Sequence, residues 1–503
     1  MKINLTILFI LWSFSLLSQV NEEVPELNPQ LSDFSVPSPE VSSLLKFVET
    51  PVGEATGIPE ITIPFYSFSD GIAGTNVNIS LDYHGGGIRV AENASREGIG
   101  WSLNAGGVIS RNLRGIKDEL EDFGFWDYTI PTEANGNSPE TPSERPFNDM
   151  YYNVIDNQPD VFTYSFPGGS GKFIIGKNND ILQLDQKNLE IEYEVANLSP
   201  TSSGSDISSF SLTDENGIEY HFEAVEFIQK MPVDVNDFYA SSWFLTKIVS
   251  KDKNNQAIEF FYENESFNTY SVAYNHSQIW PVMGTSGNVT YNSSSSSQDI
   301  QTKRLTRIEF PNGVNAKFNY TDFSNFNNSS LSEIIIEDNK DSKKYKLFHD
   351  NSLNRRTLNK IELFENLNKI GEYSFEYNSA LPPKNTVPDH WGFHNGGGST
   401  WIPKEIFDGG LSNTGYNELP GGSRDTNPSS VKAGSLRKIT YPTGGYTEYE
   451  MEANQAKDPR LNINFEKIVT RDVDTVINSI NTTVSSDYSF GQMAEGFYFT
   501  GEA

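Results

Sequence analysis

LTRIEFPNGVNAKFNY, residues 305–320, opens on Leu-x-x-Ile, breaks at Pro-Asn-Gly and resumes as an alternating run ending in Tyr. Branched and aromatic residues on both sides of such a break predict a β-hairpin. Four more stretches follow the same plan: LTKIVSKDKNNQAIEFFY from Leu245, LSEIIIEDNKDSKKYKLF from Leu331, LNKIELFENLNKIGEYSFEY from Leu358 and LRKITYPTGGYTEYEME from Leu436. A charged residue precedes the Ile in all five copies. FSLTDENGIEYHFE, residues 210–223, reads as a sixth hairpin with its turn at Asp214–Gly217. A lone hairpin is marginal in water, so these units must lie edge to edge and share a core. The expected fold class is therefore all-β, with successive antiparallel β-hairpins forming an extended or spiralling sheet scaffold and few helices.

Composition agrees with that reading. Phe 33, Tyr 23 and Trp 7 are abundant while the hydrophobic share is only 36%, the balance of sheets with one solvated face. The chain carries 37 basic and 67 acidic residues, a net charge of −30, which disfavours nucleic acid and anionic membrane as partners. Such a surface attracts divalent cations weakly. Cysteine is absent, which excludes disulfides, thiol nucleophiles, Cys-based zinc sites and iron–sulfur clusters.

Lys2, the apolar run Leu5–Leu17 and the polar exit at Ser18-Gln19 predict a signal peptide over residues 1–20, hence a secreted or outer-surface location. No later segment is apolar enough to span a bilayer, and no Cys near the exit offers a lipid anchor. The expected organisation continues with an extended leader at 21–48 and an N-terminal β region at 49–130. Within that region 61–68, 77–83 and 86–92 read as short strands ahead of GWSLNAGG. A linker is expected at 131–150, a hairpin region at 151–270 and a mobile Ser-rich loop at 271–300. Hairpin repeats at 301–380, an irregular aromatic loop at 381–432 and a final hairpin with a frayed or continuing end at 433–503 complete it.

Little in the chain reads as catalytic machinery. PGGSGK at 167–172 is followed by Phe173 instead of Ser or Thr, so it is a turn and no phosphate loop. His390 and His394 are spaced like helical zinc ligands, but Pro388, Gly392 and the glycines at 396–398 oppose a helix, so no metal site is expected there. The Asp/Asn/Gly turns at 214–217 and 337–341 match no twelve-residue calcium loop and read as ordinary turns. Neither a cofactor nor a catalytic residue is assigned. Trp391, Trp401 and Phe393 are the candidate binding residues, suited to stacking on a glycan. A carboxylate pair for glycoside hydrolysis is a more remote alternative.

Several strings resemble the N-terminal part of large secreted RHS/YD-repeat proteins of Gram-negative bacteria. They are PVGEATGIPEITIPFY (51–66), LDYHGGGIRV (81–90), GIGWSLNAGGVISRNLRG (98–115), DVFTYSFPGGSGKF (160–173), LPPKNTVPDHWGFHNG (381–396) and KAGSLRKITYPTGGYTEYEME (432–452). The resemblance implies a non-enzymatic scaffold that leads into a spiralling sheet, which in complete members closes around a C-terminal effector. The partner it implies is that C-terminal portion; a cell-surface glycan or protein is the alternative. Gly100, Trp101, Asn104, Gly106, Gly107, Asp389, His390, Pro442, Gly444 and Gly445 are then residues that hold the fold.

Overall fold

The computed structural model describes residues 58–69, 76–121, 123–127, 156–185, 187–198, 204–229, 238–249, 257–279, 288–322, 328–350, 355–397, 405–406, 418–419 and 422–453. The expected signal peptide, leader and 131–150 linker lie outside these residues, as do Trp401 and the stretch 481–503. Met1–Met451 belongs to one compact unit; the second, Glu452–Ala503, has only its first residues among those described.

The described residues are all-β, with antiparallel strands and no helix. Strands β1 (Glu60–Ser69), β2 (Asn76–His84) and β3 (Trp101–Asn104) form a small antiparallel sheet in that order. Residues 86–92, expected as its third strand, make only a single bridge, Arg89 to Phe393; turns at 85–86 and 90–91 flank it, and the third strand comes later, at β3.

A second group comprises β4 (Val108–Asn112), β5 (Val161–Phe166), β6 (Gly169–Ile175), β7 (Ile181–Gln183), β8 (Glu190–Ala196), β9 (Asp206–Thr213), β10 (Glu219–Gln229) and β11 (Phe238–Val249). Strands β9 and β10 are the sixth hairpin, closed by Asp214 Oδ1, which accepts from the N–H groups of Asn216 and Ile218 at 2.9 and 3.0 Å. The third group is β12 (Ala257–Ile279), β13 (Asn288–Glu309), β14 (Asn315–Thr321), β15 (Ser330–Glu337), β16 (Ser342–Asp350), β17 (Thr357–Glu365) and β18 (Asn368–Tyr377). After β18 come a short pair, β19 (Glu405–Ile406) with β20 (Glu418–Leu419), and finally β21 (Leu436–Thr440) and β22 (Tyr446–Glu448).

All five Leu-x-x-Ile stretches form the hairpins expected: β11/β12, β13/β14, β15/β16, β17/β18 and β21/β22. Pairing of β12 with β13, β14 with β15, β16 with β17 and β18 with β21 joins them edge to edge. Strand β11 also pairs with β10 and β4, and β10 with β13, so β10, β11, β12 and β13 close a ring of pairings inside a network of seventeen strands. Residues 271–300 are a correction. They are the paired backbone of β12 and β13 wherever they are described, in unbroken register from Tyr262–Leu305 out to Ile279–Asn288. Main-chain ladder bonds do not depend on apolar side chains, so a Ser tract can pair although its composition reads as linker.

The repeated Leu and Ile both face the core. Leu245, Ile248, Ile308, Leu331, Ile334, Leu358, Ile361, Leu436 and Ile439 are buried, and Leu305 packs against them half-buried. Residues three apart on an uninterrupted strand point to opposite faces. A bulge directly after the Leu resolves the conflict in every copy. Leu305 lies opposite Tyr262 and Arg307 opposite Phe261, so Thr306 has no partner. Thr246, Ser332, Asn359 and Arg437 are skipped in the same way after Leu245, Leu331, Leu358 and Leu436. One extra residue reverses the alternation and returns the Ile to the Leu face.

Candidate functional site

Five bulges side by side disturb the ladder along one line, and two sets of groups bond to the main chain there. The first is the tyrosine that ends three of the hairpins. Tyr262, Tyr320 and Tyr377 donate their hydroxyls to the carbonyls of Leu245, Leu305 and Leu358, at 2.7, 2.7 and 2.6 Å. Hydroxyls on the bulged residues add to this: Thr246, Thr306 and Ser332 donate to His221, Phe261 and Asn319 carbonyls.

The second set comes from the chain between Tyr83 and Gly107, which runs along the same row. The N–H groups of Leu245, Leu331 and Leu436 donate to the Gly107 carbonyl, the Arg96 carbonyl and the Tyr83 hydroxyl at 2.9, 3.0 and 2.8 Å. Buried Arg356 reaches back from the start of β17 to the carbonyls of Ser95, Ser329 and Asn328. The chain from Tyr83 to Gly107, which includes GWSLNAGG, is thus a strap across three of the repeat leucines. Trp101 is its anchor: fully buried, with its rings 5.1 and 4.9 Å from those of Tyr83 and Phe375, and its Nε1–H on the Tyr377 hydroxyl at 2.9 Å.

The other motif residues take distinct places. Gly100 has φ of +76°, and a Cβ there would stand 2.7 Å from the Tyr83 ring. At Gly107 a Cβ would lie 2.8 Å from that of Phe166, so only glycine lets the strap approach β5. Gly106 and Gly107 also line a cleft with Arg96, Lys303, Arg304, Tyr262 and Tyr320. Its cations are engaged, by Glu265, Asn264 and Glu263 respectively. Asn104 is exposed at the end of β3. Pro442 through Gly445 make the last hairpin turn, with Tyr441 N–H on the Gly445 carbonyl at 2.8 Å.

Asp389 organises the aromatic loop. Fully buried, it accepts Trp391 and Phe393 N–H groups on Oδ1 at 2.9 and 2.8 Å and the Thr426 hydroxyl on Oδ2 at 2.8 Å. Trp391 is 73% exposed on that support, Phe393 is half-buried, and its backbone bridges to Arg89. His390 is exposed, while the His394 ring is half-buried and its pKa lies below the ordinary value because of burial.

A buried ionic cluster was not foreseen. Arg111 of β4, Lys117, Asp118 and Glu119 of the following turns, Asp156 and Asp160 before β5, and Asp206 at the start of β9 are all buried. Arg111 pairs with Glu119 at 2.6 Å and Asp160 at 3.3 Å, and stands over the Phe162 and Trp243 rings; Lys117 pairs with Asp206 at 3.1 Å. Each of Asp118, Asp156 and Asp160 offers an oxygen within 4.8 Å of the other two. Burial pushes Asp156 up to about 7 and Asp118 up to about 8, and holds Asp160 well above the ordinary carboxylate range. Asp118 and Asp160 are 42 positions apart with no linear spacing between them that marks a ligand set.

No family model and no curated protein matches the chain. Among solved structures, the crystal structure of TcdB2-TccC3 is similar at 11% identity and a TM-score of 0.33, over 69% of this chain and 17% of that one. The Tc holotoxin pore of Photorhabdus luminescens, with a substituted TccC3, is similar at 9% identity and a TM-score of 0.30, over 64% of this chain and 16% of that one.

Proposed function

We propose that the chain is a non-catalytic, exported β scaffold: the leading part of an RHS/YD-repeat-type protein that encloses or presents a C-terminal effector. The observation that supports this most directly is the run of five bulged hairpins joined edge to edge and strapped along their bulges. Each hairpin offers its outer edge to the next, so the architecture grows by addition, and the wall it makes is apolar on one face and charged on the other. The motif residues brace that wall. The intact mass of the native product, measured in the producing cells and their medium, tests the reading. A mass well above that of these 503 residues, with the additional segment resistant to protease until the scaffold is unfolded, is the expected result. A stable product of about this length would overturn it.

A second reading rests on Trp391, which is held out into solvent by the buried Asp389. An exposed indole on a braced loop suits stacking on a sugar ring at a cell surface. Binding to a glycan array that Trp391→Ala abolishes would favour it; an array with no signal would remove it.

A further inference from the structure

We propose that Asp118, Asp156 and Asp160 bind a calcium ion, which ties the turns after β4 to the chain entering β5. The inference stands apart from the scaffold reading and rests on how these three carboxylates are partnered.

Each is oriented by backbone N–H groups, those of Ile116 and Asn157 adding to that of Gln158 at Asp156. Asp160 N–H donates to Asp118 Oδ2 at 3.0 Å, Gln158 N–H to Asp156 Oδ1 at 3.0 Å and Arg114 N–H to Asp160 Oδ1 at 2.7 Å. The remaining oxygens, Asp118 Oδ1, Asp156 Oδ2 and Asp160 Oδ2, are buried and have no hydrogen-bond partner. Asp118 is decisive because its side chain is fully buried and, among the described ion pairs, no cation pairs with it; Arg111 acts on it only through space, and burial outweighs that attraction. A buried carboxylate oxygen without a partner is strongly unfavourable, so something must neutralise it.

The neighbouring cations do not suffice. Asp118, Glu119, Asp156, Asp160 and Asp206 are five carboxylates against two cations, Arg111 and Lys117. Arg111 is held by Glu119 at 2.6 Å and reaches Asp160 only at 3.3 Å without a hydrogen bond, while Lys117 belongs to Asp206. Proton uptake is the other way to neutralise them. A divalent ion replaces those protons with one charge shared by all three groups.

Ligand chemistry selects the ion. The donors are hard carboxylate oxygens, with neither His nor Cys in the set. The three oxygens lie within 4.8 Å of one another, a bound that ligands at calcium's distance of about 2.4 Å satisfy. Magnesium, at about 2.1 Å with strict octahedral geometry, draws ligands closer and keeps more water.

The test is calorimetric titration of EGTA-stripped full chain with calcium chloride, alongside thermal melts. One calcium per chain and a rise in Tm are expected, because the ion binds the folded chain and not the unfolded one. Asp156→Asn is expected to weaken binding at least tenfold. Absence of saturable binding in the stripped protein overturns the inference, as does Asp156→Asn binding as tightly as the parent. Should that variant not fold, terbium in place of calcium on the parent chain decides: luminescence decays in H2O and D2O that count few bound waters are expected, and a nearly fully hydrated ion lies on surface carboxylates and overturns the assignment.

Discussion

Replacing Tyr320 by Phe isolates one hydroxyl at the row of bulges. The ring stays, and with it the packing beneath Arg96 and Arg304, whose guanidinium carbons lie 5.8 and 5.4 Å from its centroid. What is lost is the 2.7 Å bond to the Leu305 carbonyl, beside the unpaired Thr306. A typical intramolecular hydrogen bond contributes about 1 kcal/mol, and stranding a buried acceptor costs about 1–3 kcal/mol. Tyr320→Phe should therefore destabilise by about 1–3 kcal/mol, on the order of 5- to 150-fold in the unfolding constant. Tyr377→Phe should cost more, because that hydroxyl serves both the Leu358 carbonyl and the Trp101 indole. Tyr446→Phe is the control: the ring is 63% exposed on β22, and a change of under about 0.5 kcal/mol is expected. Equilibrium urea unfolding of the four proteins, followed by tryptophan fluorescence and compared by midpoint at constant slope, ranks them. If Tyr320→Phe and Tyr377→Phe fall within about 0.5 kcal/mol of Tyr446→Phe, the hydroxyls do not hold the bulges and the account of the repeat is wrong.

Gly100→Ala should destabilise by about 1–3 kcal/mol through a positive φ and a contact with the Tyr83 ring, read in the same unfolding experiment. Asp389→Ala, which strands two backbone N–H groups and the Thr426 hydroxyl, should cost at least about 2 kcal/mol, whereas Trp391→Ala should stay within about 0.5 kcal/mol. His349 is held by burial at about 4, with Nε2–H on the Glu97 carbonyl, so its imidazole should remain neutral in an NMR titration until the pH approaches that value. Its contribution to stability is present above its ordinary value and is lost as pH falls through about 4. In EGTA the raised carboxylates act with the opposite sign: the stability linked to Asp118 and Asp156 is full below the ordinary value of 3.8 and is lost as pH rises through about 7 and 8. Calcium should flatten that decline in urea midpoints measured across the same range.

The hairpins were legible because their signal is local: apolar alternation, a turn, alternation again. The Leu-x-x-Ile spacing was legible as a recurrence, but its cause was not, since nothing in Thr306 or Arg437 marks a bulge until the partner strand is in place. The Ser tract misled for a related reason. Its pairing is carried by the backbone of β12 and β13, to which composition is nearly blind. Trp101 stood out in its Gly-rich string, yet its partners Tyr377 and Phe375 come from β18, far along the chain. The carboxylate cluster was hidden more completely: Asp118 and Asp160 acquire meaning only when β4 and β5 pair and bring their flanking turns together.

From Asn268–Asp299 to Ile279–Asn288, strands β12 and β13 pair with each other and, among the described residues, with no further strand. At about 3.4 Å per residue this two-stranded stretch is about 40 Å long. Mechanically it is a lever with a zipper for a shaft. A load that separates its tips breaks one rung at a time and meets little resistance, while a load along its axis is shared by the whole ladder. Anything that grips the far end therefore transmits pull, and little twist or splay, to β10, where Phe227 and Ile228 meet Gln301 and Ile300.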